Sequence, residues 1–350
     1  MENQQTTGGR LPSLGVGTML WTPKTEAEKE ELFSAYQYCL DRGYDLFDTA
    51  EIYGDGASES LLGEFLRRDG RPVRVSSKFA PPSSMNPLAP RRKTVSSDSP
   101  EAIWEALDGS LSRLGISSLE LYFMHTPPKH HGIKAYMDVM AQAVEQGKVR
   151  GVGVCNFSAK QIDEAAEALE AHGLALSAAM TGYNVVRRYP EGNGVFDACK
   201  RHGVTLIPYA PLAEGVLTGK YRNKRMPLGY STACYFGHLN LTKEQVSAEP
   251  LAKRLLTRPR ECDRKRMEPI LAQMEAIGRA HEKSLAQVAI NWLLTTPGIN
   301  VLPIPGIRTV KQAANNIGAV EWHMSAEERQ LICAAEEQGR AAGFSGARRV

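Results

Sequence analysis

No apolar run in this chain approaches the ~20 residues that a membrane-spanning helix needs. The first ten residues, MENQQTTGGR, lack the charged-then-apolar pattern of a secretory signal. Charge of one sign is also missing. The 42 basic and 39 acidic residues are interspersed and leave a formal +3, so neither a nucleic-acid footprint nor a membrane-surface patch is expected. Six cysteines (Cys39, Cys155, Cys199, Cys234, Cys262, Cys333) are scattered with no CxxC pair and no Cys/His cluster. That spacing excludes a zinc site and reads as reduced, small apolar side chains in a cytoplasmic protein. No GxGxxG occurs, which removes the fingerprint of a doubly wound dinucleotide-binding sheet. What is present is ordinary: 350 residues, 42% hydrophobic and 23% charged, the composition of a soluble globular protein.

The dominant pattern is alternation. Short apolar or β-branched runs stand at residues 14–18 (LGVGT), 45–49 (DLFDT), 73–78 (VRVSSK) and 119–125 (LELYFMH). They continue at 151–156 (GVGVCN), 176–183 (LSAAMTGY), 205–209 (TLIPY) and 300–304 (NVLPI). Helical stretches lie between them, with apolar residues three and four apart, such as Leu32, Phe33, Tyr36, Cys39 and Leu40. A second stripe, Ile103, Leu107, Leu111 and Leu114, follows Ser99-Pro100-Glu101, which reads as cap and first turn. Glycines such as Gly115 and Gly147 close helices ahead of the next strand. Eight strand-like runs, each followed by a helix, predict an α/β fold of the (β/α)8 (TIM) barrel type. The expectation is one domain over residues 11–335, with flexible tails at 1–10 and 336–350 and long loops after strands 3 and 7. Those loops are residues 80–98, rich in proline and serine, and 221–265, basic and holding Tyr230, Tyr235, Phe236 and His238. The stretch 215–220 (GVLTGK) lacks the spacing of a phosphate loop.

In a packed barrel, a polar residue at the C-terminal end of a strand needs a reason. Asp48, Lys78, His125 and Asn156 end the second to fifth runs, Tyr53 follows Asp48 by five residues, and Tyr183-Asn184 and Tyr209 close the sixth and seventh. Any one of them singly reads as a cap or a satisfied core group; at one rim together they read as a site. An Asp, a Tyr, a Lys and a His contain no obvious nucleophile and no metal-ligand set. Asp48 can orient Lys78, and the Lys78 ammonium can lower the Tyr53 pKa from ~10 toward neutrality. A neutral His125 can hydrogen-bond a carbonyl oxygen. The set suits reversible proton delivery to a carbonyl, with the hydride supplied from elsewhere.

These residues sit in motifs that resemble the aldo-keto reductase superfamily over residues 11–335. Residues 46–53 (LFDTAEIY), with Gly54, Ser58-Glu59 and Leu62-Gly63, resemble its Asp-Thr-Ala-x-x-Tyr-Gly signature. Residues 75–78 (VSSK), 121–125 and 151–158 (GVGVCNFS) are similar to its lysine strand, histidine strand and Gly-x-Ser-Asn-Phe motif. Residues 209–221 (YAPLAEGVLTGKY) and 303–316 (PIPGIRTVKQAANN) resemble its nicotinamide-stacking segment and its carboxy-terminal cofactor motif.

The resemblance implies Asp48, Tyr53, Lys78 and His125 as catalytic residues and NADPH/NADP+ as the cofactor, bound extended on the rim. It implies cofactor contacts from Thr18, Asp48, Cys155, Asn156, Met180, Tyr209, Pro211, Leu212, Gly306, Arg308, Gln312, Asn315 and Asn316. Arg308 would meet the 2′-phosphate. Cys155, Met180 and Asn315 stand where serine, glutamine and glutamate are usual. The substrate would be a small-molecule aldehyde or ketone, held by Trp21, Tyr53 and His125, with Phe79 and the 221–265 loop contributing. No metal and no nucleic-acid or membrane partner is expected. The superfamily also holds cofactor-binding regulatory subunits and double-bond reductases; His125 argues against the latter.

Overall fold

The computed structural model describes residues 11–82, 97–222 and 261–343. Most of both long loops read from the sequence therefore lies outside the described residues, as do residues 1–10 and 344–350. The chain divides into two compact units: residues 1–182, 189–209 and 296–317 form the first, and residues 183–188, 210–295 and 318–350 the second.

The first unit holds seven strands: β1 (Val16–Gly17), β2 (Leu46–Asp48), β3 (Arg74–Phe79), β4 (Leu119–Met124), β5 (Val149–Cys155), β6 (Leu176–Gly182) and β7 (Thr205–Tyr209). They pair in parallel and in sequence order. Each falls on one of the runs read from the sequence, within two residues at either end. Between them lie α1 (Glu26–Leu40), α2 (Ala57–Asp69), α3 (Ala102–Leu114), α4 (Ile133–Glu145), α5 (Ala159–Glu170) and α6 (Val195–Arg201). Local chemistry sets their ends. Ser158 and Gln161 form a reciprocal capping box at the start of α5. Gly115, at φ 69°, ends α3 with its N–H on the Leu111 carbonyl. Ser99–Glu101 form the turn ahead of α3 rather than its first turn.

The eighth run is extended without being a regular strand, and proline is the reason. Leu302 and Ile304 N–H groups donate to Leu206 and Pro208 of β7, while the carbonyls of Pro303 and Pro305 accept from Gly15, just before β1, and Gly17 of β1. Pro303 and Pro305 have no N–H to return to β1, so that side carries half a ladder. The ring of strands still closes, with bridges Leu206↔Val301 and Gly17↔Gly306. The fold is a (β/α)8 barrel.

Alternation along the strands divides inward from outward side chains. Leu46, Leu121, Phe123, Cys155, Ala178, Met180, Ile207, Leu302 and Ile304 form one buried apolar cluster in the interior. The exception is the β2–β3 sector, where Asp48, Ser76 and Lys78 are buried polar residues. A last helix of this unit, α9 (Val310–Ile317), packs on α1.

The second unit contains α7 (Glu261–Ala280), α8 (Leu285–Leu294) and α10 (Ala326–Gly343), with α7 packed on both others. Helix α10 runs well beyond residue 335, where the sequence reading ended the domain. In it Arg329 stacks over the Trp292 ring at 3.9 Å and donates to Tyr183 Oη at 3.1 Å. Among the described residues no helix is long and apolar enough to cross a membrane.

Gly153 on β5 is required by packing. A Cβ added there would fall inside the van der Waals envelope of the Phe123 ring. Overpacking of this kind costs about 1–3 kcal/mol, so Gly153→Ala is expected to lower the unfolding free energy by that amount, read as a lower urea midpoint with an unchanged slope. A midpoint equal to that of the parent would show that the interior has room to spare.

Candidate active site

β2 and β3 run side by side with Asp48 opposite Ser76, so Asp48 and Lys78 both point into the interior at the C-terminal end. Lys78 is fully buried and Asp48 is 2% exposed. The Lys78 ammonium donates to Asp48 Oδ2 at 2.7 Å and to the Thr49 carbonyl at 2.5 Å. Its third N–H is left for Tyr53, whose ring centroid lies 4.8 Å from Nζ. Tyr53 meets His125 edge-on, with ring centroids 6.0 Å apart at 81°. The His125 N–H bonds the Phe79 carbonyl at 2.7 Å, tying the end of β4 to β3. Asn156, at φ 61°, donates from Nδ2 to the His125 carbonyl at 3.2 Å and accepts from Tyr209 Oη at 2.9 Å. The rim residues expected at the ends of β2, β3, β4, β5 and β7 are thus one connected cluster.

The loop that carries Tyr53 is braced from behind. Thr18 Oγ1 donates to the Asp48 carbonyl, and Ser58 Oγ donates to the Thr18 carbonyl while lying 2.8 Å from Thr18 Oγ1 and 3.1 Å from Thr49 Oγ1. Glu51 accepts from the Ala80 N–H at 2.9 Å, joining the loop to the end of β3.

Electrostatics correct one expectation. Burial raises the Tyr53 phenol above its ordinary pKa; Lys78 works against that shift and Asp48 adds to it, and the net direction is up. From the sequence alone the Lys78 charge is expected to bring the phenol toward neutrality, but desolvation outweighs the cation. Tyr53 is therefore a protonated phenol at pH 7. Burial by itself would lower Lys78; the Asp48 charge, with Tyr53, more than offsets this and holds the ammonium above its usual range.

The other residues singled out from the sequence are placed as follows. Trp21 is fully buried between Phe47 and Phe65, its indole N–H donating to the Ile307 carbonyl at 2.8 Å. Its backbone N–H also donates to the Thr18 carbonyl at 2.8 Å, so it anchors the turn after β1. Thr18 is equally buried, its hydroxyl committed to Asp48 and Ser58. Phe79 is a core residue near Tyr136. Cys155 and Met180 belong to the interior apolar cluster, and burial pushes the Cys155 thiol up. Gly306, Arg308 and Gln312 are exposed and Asn315 is half-buried. The Arg308 N–H is capped by Gln312 Oε1 at 2.7 Å. Asn316 is buried, with its Nδ2 lacking a hydrogen-bond partner. Pro211 and Leu212 lie in the second unit, beside a run of left-handed residues at Ala213, Glu214 and Gly215. Ser76 and Thr49 were not singled out from the sequence, although Ser76 sits two residues before Lys78, on the same strand face.

The Aldo/keto reductase family pattern matches residues 13–337. This chain belongs to that family. It is 29% identical over 344 residues to the chloroplastic pyridoxal reductase of Arabidopsis thaliana, covering 93% of this chain and 83% of that protein. It is 28% identical over 321 residues to the NADP(+) aldo-keto reductase yakc of Schizosaccharomyces pombe, covering 90% and 85%. Among solved structures, the glycerol dehydrogenase of Gluconobacter oxydans superposes with a TM-score of 0.75 at 20% identity, over 95% of this chain and 94% of that one, a likeness of fold. Membership makes the chain an oxidoreductase of this family.

Trp21→Phe separates an anchor from a pocket wall. It strands the Ile307 carbonyl and leaves a gap, and an unsatisfied buried group costs about 1–3 kcal/mol. A lower melting temperature with unchanged KM for carbonyl substrates is expected; a changed KM with an unchanged melting temperature would return Trp21 to the pocket.

Proposed function

We propose that this protein is an NADPH-dependent reductase that converts the carbonyl of an aldehyde or ketone to an alcohol. The observation that carries the reading is the buried Lys78 ammonium, held by Asp48 and Thr49 with one N–H left for a protonated Tyr53. That arrangement suits a phenol that gives up its proton beside a fixed positive charge.

The carbonyl oxygen sits between Tyr53 Oη and the His125 ring, the two polar groups that face each other at the rim. Tyr53 donates its proton to the oxygen as negative charge develops there, and Lys78 stabilises the phenolate left behind. Asp48 keeps Lys78 charged and aimed. His125, fixed by the bonds from its own N–H and to its carbonyl, orients the substrate. The bound dinucleotide supplies the hydride.

The chain has groups suited to such a cofactor. Arg308 is exposed, and its guanidinium has no ion-pair or hydrogen-bond partner among the described residues. Lys311 is exposed one turn away on α9. A guanidinium at a helix start fits a dianionic phosphate, and the orphaned Asn316 amide is a further polar group in want of a partner. The name of the fission-yeast relative, an NADP(+) enzyme, supports the same choice.

Oxidation of NADPH followed at 340 nm across aldehydes and ketones tests the reaction. Removing a general acid costs ~10²–10⁴-fold, so Tyr53→Phe should lose that factor in turnover and keep NADPH affinity. A tenth of the parent rate in the variant would remove Tyr53 from the role. No turnover with any carbonyl, alongside tight NADPH binding, would favour a cofactor-binding regulatory subunit.

Cofactor choice has its own test. A hydrogen bond to a charged group is worth about 1.5–3 kcal/mol, or roughly 10- to 150-fold in affinity. Arg308→Ala should weaken NADPH by that factor in a fluorescence titration and leave NADH little changed. Equal weakening of both would take away the basis for NADPH selectivity.

A further inference from the structure

β3 carries two serines ahead of Lys78, and period two separates their roles. Ser77 faces outward, where its hydroxyl donates to Glu59 Oε1 at 2.5 Å and Glu59 Oε2 accepts from Arg113 at 2.7 Å. Ser76 faces inward with Lys78, lies opposite Asp48 in register, and is 2% exposed. Its hydroxyl donates to Asp48 Oδ1 at 2.7 Å, while Lys78 donates to Oδ2. Each carboxylate oxygen therefore has its own donor.

This division matters because a carboxylate turns easily about its last torsion, which is broad and two-fold. An unrestrained Asp48 could set both oxygens on the ammonium beside it. Lys78 would then spend its N–H groups on Asp48 and Thr49, and Tyr53 would lose the one aimed at it. Neutralising Asp48 does not require a hydroxyl, since Lys78 already does so. What the hydroxyl adds is orientation.

We propose that Ser76 is a positioning residue for proton transfer: by holding Asp48 Oδ1, it keeps one Lys78 N–H directed at the Tyr53 phenol. The inference rests on Tyr53 being the proton donor of the reaction proposed above. In that step the Tyr53 O–H bond breaks and its proton joins the carbonyl oxygen, leaving phenolate. Lys78 remains ammonium, Asp48 remains carboxylate, and no proton passes through Ser76. The charged and titratable groups facing Tyr53 are Asp48 from β2, Lys78 from β3, His125 at the end of β4 and Cys155 from β5; Ser76 adds none of its own.

The test is a double-mutant cycle with Ser76→Ala in the parent and in an Asp48→Asn background, with Ser76→Thr as the conservative variant. A hydrogen bond to a charged group is worth roughly 10- to 150-fold, and Asp48 transmits part of it, so Ser76→Ala should lower turnover by about five- to tenfold. The KM for NADPH should stay as it was. The acidic limb of alcohol oxidation, which needs the phenolate, should move up by about 0.7 pH unit, the lower factor expressed as a pKa. Ser76→Thr should restore both. In Asp48→Asn, Ser76→Ala should add less than about twofold, because the path through the carboxylate is already cut. A parent-like rate and profile in Ser76→Ala overturns the proposal, and so does an undiminished loss in the Asp48→Asn background. Should Ser76→Ala fail to fold, Ser76→Cys, close in size and a weak donor, replaces it with the same expectations. Tyrosinate absorbance of Tyr53, obtained as the difference from Tyr53→Phe, reads the same upward shift without turnover. It therefore still judges Ser76 if the parent reduces no carbonyl, an outcome that would sink the functional reading alone.

Discussion

An ammonium group buried in a barrel interior is the constraint on which the rest of this site depends. Lys78 is wholly removed from water, and an unpaired charge there would be expelled or neutralised. It is kept charged by a full carboxylate at 2.7 Å and a carbonyl at 2.5 Å. Each of those partners must in turn be held. Asp48 is fixed by its strand and by Ser76; Thr49 is fixed through Ser58, which also grips Thr18. The upper β2–β3 sector of the interior is polar because this one charge requires it, while Leu46 of β2 and residues of the later strands form an apolar cluster.

The same constraint explains why residues at the rim are tied to backbone carbonyls and not left as free tools. The Asn156 amide bridges Tyr209 and the His125 carbonyl, and the His125 N–H is bonded to β3. These bonds fix His125 opposite Tyr53, the pair between which the proposed reaction places the carbonyl oxygen. Geometry held by several weak bonds, each to a neighbouring strand, is harder to disturb than geometry held by one strong bond.

Much of this was legible in the sequence because both periods that matter are local. Alternation of short apolar runs with 3.6-period stripes gives the strand order, and polar residues at strand ends give Asp48, Tyr53, Lys78 and His125. What the sequence hides is burial. Trp21 and Thr18 follow the first run and look like rim residues, yet both are wholly enclosed. The period-two pattern has no way to tell a side chain above the rim from one folded back beneath it. Cys155 and Met180 are marked by the family resemblance, and both belong to the buried interior cluster. The eighth strand was legible as a run and not as a ladder, since Pro303 and Pro305 withhold the N–H groups that β1 would have received.

The sign of the Tyr53 shift is the point where depth overrides adjacency. A cation beside a phenol argues for a lowered pKa, and that argument is sound for an exposed pair. Here burial is the larger effect, so the phenol rests protonated. This is the better state for the proposed reaction. A general acid must hold its proton before the carbonyl arrives and release it only as charge develops on the oxygen. Burial secures the first condition, because it disfavours phenolate in the resting site. Lys78 secures the second, because its field acts on charge and contributes little while the phenol is neutral. Stabilisation confined to the charged state lowers the barrier without deepening the ground state, which is the form of interaction that raises turnover.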